Sequence, residues 1–186
     1  MSRILARLAA FTFFMLLLTF AVGWLSRWRG SLRFNRDDPT FDIHLYLALF
    51  TLLLTLAVHC LIFIYFLGTG RFVKEVAIAY GLPDVPLPRR TRDLKRRTFP
   101  LALLAMLVPI AAGAAGAAAQ TQLWPWQVHA TLGGFALLVN LWAFVVEYRD
   151  VSINAGILDE VMREVDRIRA EHGLPSNAEA LRQEQS

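Results

Sequence analysis

The chain has 186 residues, of which 56% are hydrophobic, and its mean hydropathy is +0.45. Both values exceed what a soluble domain of this length needs, so most of the chain is expected to lie in a membrane. The formal net charge of +4 comes from basic residues beside apolar runs, where they set topology, so no nucleic-acid partner is expected. The single cysteine, Cys60, excludes an internal disulfide and any cysteine-based metal motif.

Four apolar runs are long enough to cross a bilayer as helices. The first follows Arg3 and Arg7 and lacks a small-residue cleavage site, which favours a retained anchor over a signal peptide. The second is predicted to end at Gly68 and Gly70, and the third to begin just before Pro100. The transmembrane domain is predicted over residues 1–148, with spans at about 8–25, 43–67, 99–119 and 128–146.

Three segments outside the spans are polar. Residues 71–97 are predicted to form a basic cytoplasmic loop that ends in PRRTRDLKRR. Residues 149–175 have apolar side chains at three- and four-residue spacing, which predicts a cytoplasmic amphipathic helix that Gly173 and Pro175 end. Its narrow apolar stripe suits a partner protein, the other amphipathic segment or a second copy of the chain. Residues 176–186 are predicted to be disordered.

The basic residues indicate an orientation. The N-terminus, the basic loop and the tail hold most of the Lys and Arg, whereas the connection after the first span holds four and the last connection none. The positive-inside rule therefore predicts that both termini are cytoplasmic. The predicted fold is an all-α integral membrane protein of a cell inner membrane, with four transmembrane helices in a bundle and cytoplasmic amphipathic helices.

Two stretches of the chain resemble each other. FDIHLYLALF from Phe41 and WQVHATLGGF from Trp126 share an aromatic residue, a β-branched residue, a His and then a Phe six positions after the His. Each is followed by an amphipathic segment that ends in GLP, and Met15–Gly23 loosely matches Met106–Gly113. The pattern suggests two tandem helical hairpins, with chance similarity between apolar sequences as the alternative.

The histidines of these two stretches are the main candidates for chemistry. His44 and His129 are predicted to lie about one turn below the outer surface, on helices that run in the same direction. Polar groups that face lipid are costly, so both histidines are expected to face the bundle interior and to meet. Two imidazoles from separate helices at one depth are the usual axial ligands of a b-type haem.

Further residues near the pair suit a haem. Gly133, one turn from His129, would give a flat ring room, and aromatic side chains including Tyr46 could pack on a porphyrin. Arginines of the first connection, which include Arg27 and Arg29, could pair with propionates. The predicted cofactor-binding set is His44, His129, Gly133, Phe50, Phe135, Arg33 and Arg36, with the two histidines as metal ligands.

Two simpler interpretations of the pair stay open. His44 could be an interfacial histidine that is satisfied by water or by Asp42. A zinc or copper site would also use imidazole, but it would need a third ligand at this depth, where only Asp42 is close.

The remaining histidine in the spans has a structural interpretation. His59 lies about 22 Å deeper by helical rise, and Phe144 occupies the matching position, so a second bis-histidine haem is not supported. His59 is predicted to be a core histidine bonded to Asn140 or a threonine. Glu147, beside Arg149, is predicted to be a solvated charge at the end of the last span.

The chain contains no Walker loop, dinucleotide fingerprint, nucleophile elbow or metalloprotease helix, so a stand-alone enzyme is not expected. The leading hypothesis is a membrane b-type cytochrome or haem-bearing anchor subunit, which moves electrons between a quinol or periplasmic donor and a partner. The alternative is a non-catalytic accessory, assembly or scaffold subunit. In both cases the basic loop and the tail helix would contact another membrane or cytoplasmic protein or a second copy of the chain. A transporter ranks third, because four helices with few buried polar groups offer little pathway.

Overall fold

The computed structural model describes residues 2–31, 37–84 and 86–184, and the regular structure within them is helical. Each of the four long helices contains one predicted span and is long and apolar enough to cross a membrane. This confirms the prediction of an all-helical chain with four such helices. The elements are α1 (Ser2–Arg29), α2 (Thr40–Ala79), α3 (Leu87–Gln120), α4 (Trp126–Glu171) and α5 (Asn177–Glu184).

The long helices form a ring in which each packs against its neighbours in the chain and α4 closes onto α1. Across the ring, α2 and α4 run in the same direction, with residues 85 positions apart side by side. One end of the ring, here called the histidine end, holds the connections 30–39 and 121–125. The other, the basic end, holds the N-terminus and the connection 80–86.

Buried residues of α3 and of α4 recur every seven positions, which is the period of helices that pack nearly parallel or antiparallel. The buried positions of α3 at this spacing are Thr91, Thr98, Ala105 and Ala112. Those of α4 are Asn140, Glu147, Asn154 and Val161. Three of the four α4 residues are polar, so each must find a hydrogen-bond partner inside the protein.

Two helix boundaries differ from the sequence prediction. Helix α2 continues through Gly68 and Gly70 to Ala79, and Gly81 follows with a φ of +63°. A glycine inside a helix costs only about 1 kcal/mol, which the packing of this part of α2 offsets, whereas Gly81 adopts the left-handed conformation that commonly ends helices. Most of the predicted basic loop 71–97 is therefore helical, and only 80–86 connects α2 to α3.

The end of the chain also differs. Helix α4 passes through residues 148 and 149 without a break, and its apolar stripe (Ile157, Val161, Val165) is buried within the chain. Ile157 and Val161 share a core cluster with Val73 of α2 and Leu94 of α3. Three candidates to pack against this stripe were predicted, and the structure shows one of them, the other amphipathic segment of the same chain, which contains Val73. The prediction of disorder over 176–186 is wrong for Asn177–Glu184, which form α5.

Candidate functional site

The structure brings His44 of α2 and His129 of α4 together at the histidine end, as predicted. Their ring centroids are 6.0 Å apart and their planes are inclined by 68°. Both side chains are partly buried between the helices. The parallel course of α2 and α4 explains this meeting, because it places equivalent residues of the two helices at one depth.

Each imidazole is held by a backbone carbonyl of the preceding helix. Nδ1 of His44 lies 3.1 Å from the carbonyl oxygen of Thr19, and Nδ1 of His129 lies 2.8 Å from that of Ala112. A carbonyl oxygen can only accept, so Nδ1 is the protonated nitrogen in both rings. In the neutral imidazoles each Nε2 therefore keeps a lone pair, which is the tautomer that binds metals.

Two glycines that sequence reasoning missed allow this packing. A Cβ added to Gly23 of α1 would lie 2.7 Å from Cε1 of His44, and one added to Gly116 of α3 would lie 2.9 Å from Cε1 of His129. Both distances are too short for a side chain, so any residue larger than glycine would displace the imidazole. The sequence signal was a glycine in the span before each histidine, but α3 is so rich in small residues that Gly116 did not stand out.

The two histidine sites share one local pattern. In each, the glycine that contacts the ring stands four residues after the residue whose carbonyl accepts from Nδ1, which places both on one helical face. Gly23 thus corresponds to Gly116, and the sequence match of Met15–Gly23 to Met106–Gly113 is misaligned by two residues at its methionines and by three at its glycines. The resemblance of the two stretches in sequence is thus accompanied by a shared glycine, carbonyl and histidine in the structure.

The predicted porphyrin contacts do not gather around the pair. A Cβ on Gly133 would lie 3.3 Å from Cδ2 of Phe20, so the space expected for a flat ring holds the Phe20 side chain. Phe50 and Phe135 are each about half exposed, because six helical residues rotate them about a third of a turn from their histidines. Tyr46 is also exposed.

The arginines of the first connection have other contacts or lie outside the described residues. Arg33 and Arg36 fall in 32–36, so their predicted role at propionates stays a prediction. Arg27 lies over the ring of Trp126, 5.0 Å from its centroid, and Arg29 pairs with Asp38 at 3.5 Å. Hydrogen bonds from Thr40 lower the pKa of Asp38, and the bond from the Thr40 side chain contributes more than the bond from its backbone N–H.

An aromatic cluster covers the α1 and α4 side of the histidine end. Trp24 packs edge-on against Trp126 with ring centroids 5.6 Å apart, and Phe20 contacts Trp24 at 6.4 Å. Phe20 also reaches Gly133, one turn from His129. The cluster therefore lies beside the histidine pair, between α1 and α4.

The prediction for His59 is confirmed, and that for Glu147 is wrong. Nε2 of His59 lies 3.0 Å from Oδ1 of Asn140, and Phe144 stacks on the ring at 5.1 Å. Glu147 is fully buried, with Oε1 2.7 Å from Nδ1 of His59. It is not a solvated end charge, because α4 continues well beyond it and turns its carboxyl into the protein.

Among the described residues, no three His, Cys, Asp or Glu side chains gather as they would around a metal ion held by the protein alone. Comparisons of the chain with protein-family models, with curated proteins and with solved structures find no match.

Proposed function

We propose that the chain is a multi-pass protein of a cell inner membrane that binds haem b between His44 and His129. Electrons would pass through the haem between a quinol or periplasmic donor and a partner protein. The observation that carries the proposal is that both imidazoles are fixed with Nδ1 protonated, which leaves a lone pair on each Nε2, while the two ring centroids lie 6.0 Å apart between α2 and α4.

The separation of the rings supports this assignment. A metal ion bound about 2.0–2.1 Å from one nitrogen of each imidazole would place the two ring centroids roughly 6 Å apart. The measured separation is 6.0 Å. The rings therefore stand at a distance that suits one shared metal ion.

The number of protein ligands favours haem over a bare ion. Zinc and copper sites take three or four ligands from the protein, which the described residues do not bring together here. A haem would need only two ligands from the protein, which His44 and His129 would supply. When bound, the haem supplies one-electron transfer.

The surrounding residues would hold and tune the ligands. The carbonyls of Thr19 and Ala112 accept from Nδ1, which fixes the rings and raises the basicity of each Nε2. The aromatic cluster of Phe20, Trp24 and Trp126 would limit access of water. A porphyrin beside Gly133 requires Phe20 to adopt another rotamer, because this side chain fills the space.

The membrane orientation follows from charge. The basic end carries the Lys and Arg of residues 71–97, so the positive-inside rule places this end and both termini in the cytoplasm. The histidine pair would then lie near the outer face, within reach of a quinol or a periplasmic donor.

The test is the reduced-minus-oxidised absorbance spectrum of the protein purified from haem-sufficient cells. Wild type should show the bands of a low-spin haem b, and His44→Ala and His129→Ala should each lose them. His172→Ala is the matched control, because His172 is exposed at the end of α4, and it should keep the spectrum. A spectrum that survives both site substitutions, or a colourless wild type, would overturn the proposal and favour the accessory subunit.

A further inference from the structure

A second polar site lies between the histidine pair and the basic end. His59, Asn140 and Glu147 are each fully buried. Both nitrogens of His59 are engaged, Nδ1 with Glu147 at 2.7 Å and Nε2 with Asn140 at 3.0 Å. The imidazole is also stacked on Phe144 with nearly parallel planes, so its orientation is fixed.

The orientation of Asn140 follows from its other partners. Its amide nitrogen donates to the carbonyl oxygens of Ala105, at 3.2 Å, and Ala136, at 2.9 Å. Carbonyl oxygens only accept, so the opposite amide orientation would set three oxygens together. Oδ1 is therefore the atom that faces His59, and Nε2 of His59 must donate a proton to it.

The protonation of the pair follows from that donor. With a proton on Nε2, a neutral imidazole has a bare Nδ1, and Oε1 of Glu147 must then carry a proton to bond it. If Glu147 is ionised, Nδ1 must carry a proton instead, and the ring is an imidazolium. Either way one proton lies between Nδ1 and Oε1, and the pair has no net charge.

Loss of that proton would be costly. It would leave a lone pair of Nδ1 facing a carboxylate and a net negative charge at a fully buried position. In addition, Oε2 of Glu147 is buried and has no hydrogen-bond partner among the described residues. An ionised carboxylate would normally fill that position with a donor.

Among the residues that the structure describes, no other group near the pair supplies the missing charge. The titratable or charged side chains on the surrounding elements toward the basic end include Arg3 and Arg7 of α1, Cys60 and Tyr65 of α2, Arg97 of α3, and Tyr148, Arg149 and Asp150 of α4. Arg3, Arg7, Cys60, Tyr148 and Arg149 are exposed, and the hydroxyl of Tyr65 donates to Val151 at 3.4 Å. Arg97 is bound by Asp150, which also accepts from Thr98.

We propose that His59 and Glu147 form a proton-binding site inside the bundle, in which one proton is held between Nδ1 and Oε1 throughout the neutral pH range. The site takes up or releases a proton only when a nearby charge changes, as residues of intramembrane proton relays do. The site does not depend on the haem proposal, because it involves neither His44 nor His129.

Two spectroscopic measurements on the full chain test the site. Infrared spectra report a protonated carboxyl group through its carbonyl stretch, and ¹⁵N NMR of histidine-labelled protein reports which ring nitrogens carry protons. Over most of the range from about pH 5 to about pH 9, a free Glu side chain is ionised and a free His side chain is neutral. For the buried pair we expect one of two other results throughout this range. Either the acid band is present with His59 protonated only on Nε2, or His59 is protonated on both nitrogens.

Variants assign the signals. Glu147→Gln should remove the acid band and remain folded, because the Gln amide can donate to Nδ1 with Nε2 still protonated. Glu164→Gln is the matched control on α4, since Glu164 is paired with Arg167 near the surface, and it should leave the spectra unchanged. If Glu147→Gln does not fold, the ¹⁵N NMR spectrum of histidine-labelled wild type still shows which nitrogens of His59 carry protons. At pH 7, an ionised Glu147 beside a neutral His59, whichever ring nitrogen carries the proton, would overturn the proposal.

Discussion

Gly23 lies directly against the imidazole of His44, so closely that a Cβ at this glycine would sit 2.7 Å from Cε1. Gly116 has the same relationship to His129, at 2.9 Å. Each histidine therefore depends on a glycine in the helix before it. Because the nearest atoms belong to rings fixed by a carbonyl, the neighbours cannot simply move aside.

We expect Gly23→Ala and Gly116→Ala to displace the histidine rings from their carbonyls and to abolish or strongly weaken haem binding. Haem absorbance per mole of purified protein measures this. Gly113→Ala and Gly68→Ala are the matched controls, because a Cβ at either glycine meets no atom within 4 Å. Both controls should bind haem like wild type. Equal haem content in the Gly116 and Gly113 variants would contradict the assigned role of the glycines.

Asp150 should stabilise the fold through its buried contacts. Its carboxylate is fully buried and accepts from Thr98 Oγ at 2.7 Å and from the guanidinium of Arg97. We expect Asp150→Ala to lower the free energy of unfolding by about 2–3 kcal/mol, since it removes the hydrogen bonds that a buried, charged acceptor receives from Thr98 and Arg97. Thermal unfolding in detergent measures the effect.

The Asp84 and Arg92 pair provides the control for Asp150. It has the same two-bond geometry, at 2.7 and 2.6 Å, but both side chains are more than half exposed. Water replaces such contacts readily, so Asp84→Ala should hardly change the unfolding midpoint. If the two substitutions destabilise equally, burial is not the source of the Asp150 effect.

Helix α5 should fray as the pH falls. Glu179 accepts from the backbone and side chain of Ser176, each at 2.9 Å, and Ser176 Oγ accepts from the Glu179 N–H at 3.3 Å, which together form a capping box. The two hydrogen bonds that Glu179 accepts lower its pKa below the ordinary value of 4.5, and the bond from the Ser176 backbone contributes most. Their stabilisation is therefore complete above that value and is lost as the pH falls through the lower, folded-state pKa.

Hydrogen exchange at residues 177–180, expressed as protection relative to the unstructured rate, measures this fraying. Protection should fall between about pH 5 and about pH 3, and Ser176→Ala should lower it at neutral pH, since loss of a cap costs about 0.5–2 kcal/mol. Glu179→Gln should weaken the pH dependence at residues 178–180, whereas the N–H of Asn177 donates to Asp166 instead. Protection that does not change with pH in wild type would show that the carboxylate does not hold the cap.

Local patterns in the sequence were enough for part of this account. Apolar runs identified the four long helices, and the shared depth of His44 and His129 predicted that they would meet. The partner of His59 was predicted from its helical face. Each of these features is visible as a regular spacing of apolar and polar residues along a helix. The spacing is regular because every turn of the helix packs against lipid or against the core.

Other features depend on residues far apart in the chain. Glu147 looked like a span end beside Arg149, and only the position of His59, 88 residues away, shows that it is buried. Gly116 is one small residue among many until His129 packs against it. The capping box of Ser176 and Glu179, in contrast, can be recognised from the local sequence by its three-residue spacing. It was missed because the residues around it are polar and were predicted to be disordered.

The haem content of the purified chain tests the central claim most directly. A pyridine haemochrome measurement, with protein determined by amino-acid analysis, gives the ratio of haem b to chain. We predict a ratio close to one for wild type and close to zero when His44 and His129 are both replaced by alanine. A wild-type ratio near zero, after expression with ample haem, would contradict a haem site between these two histidines.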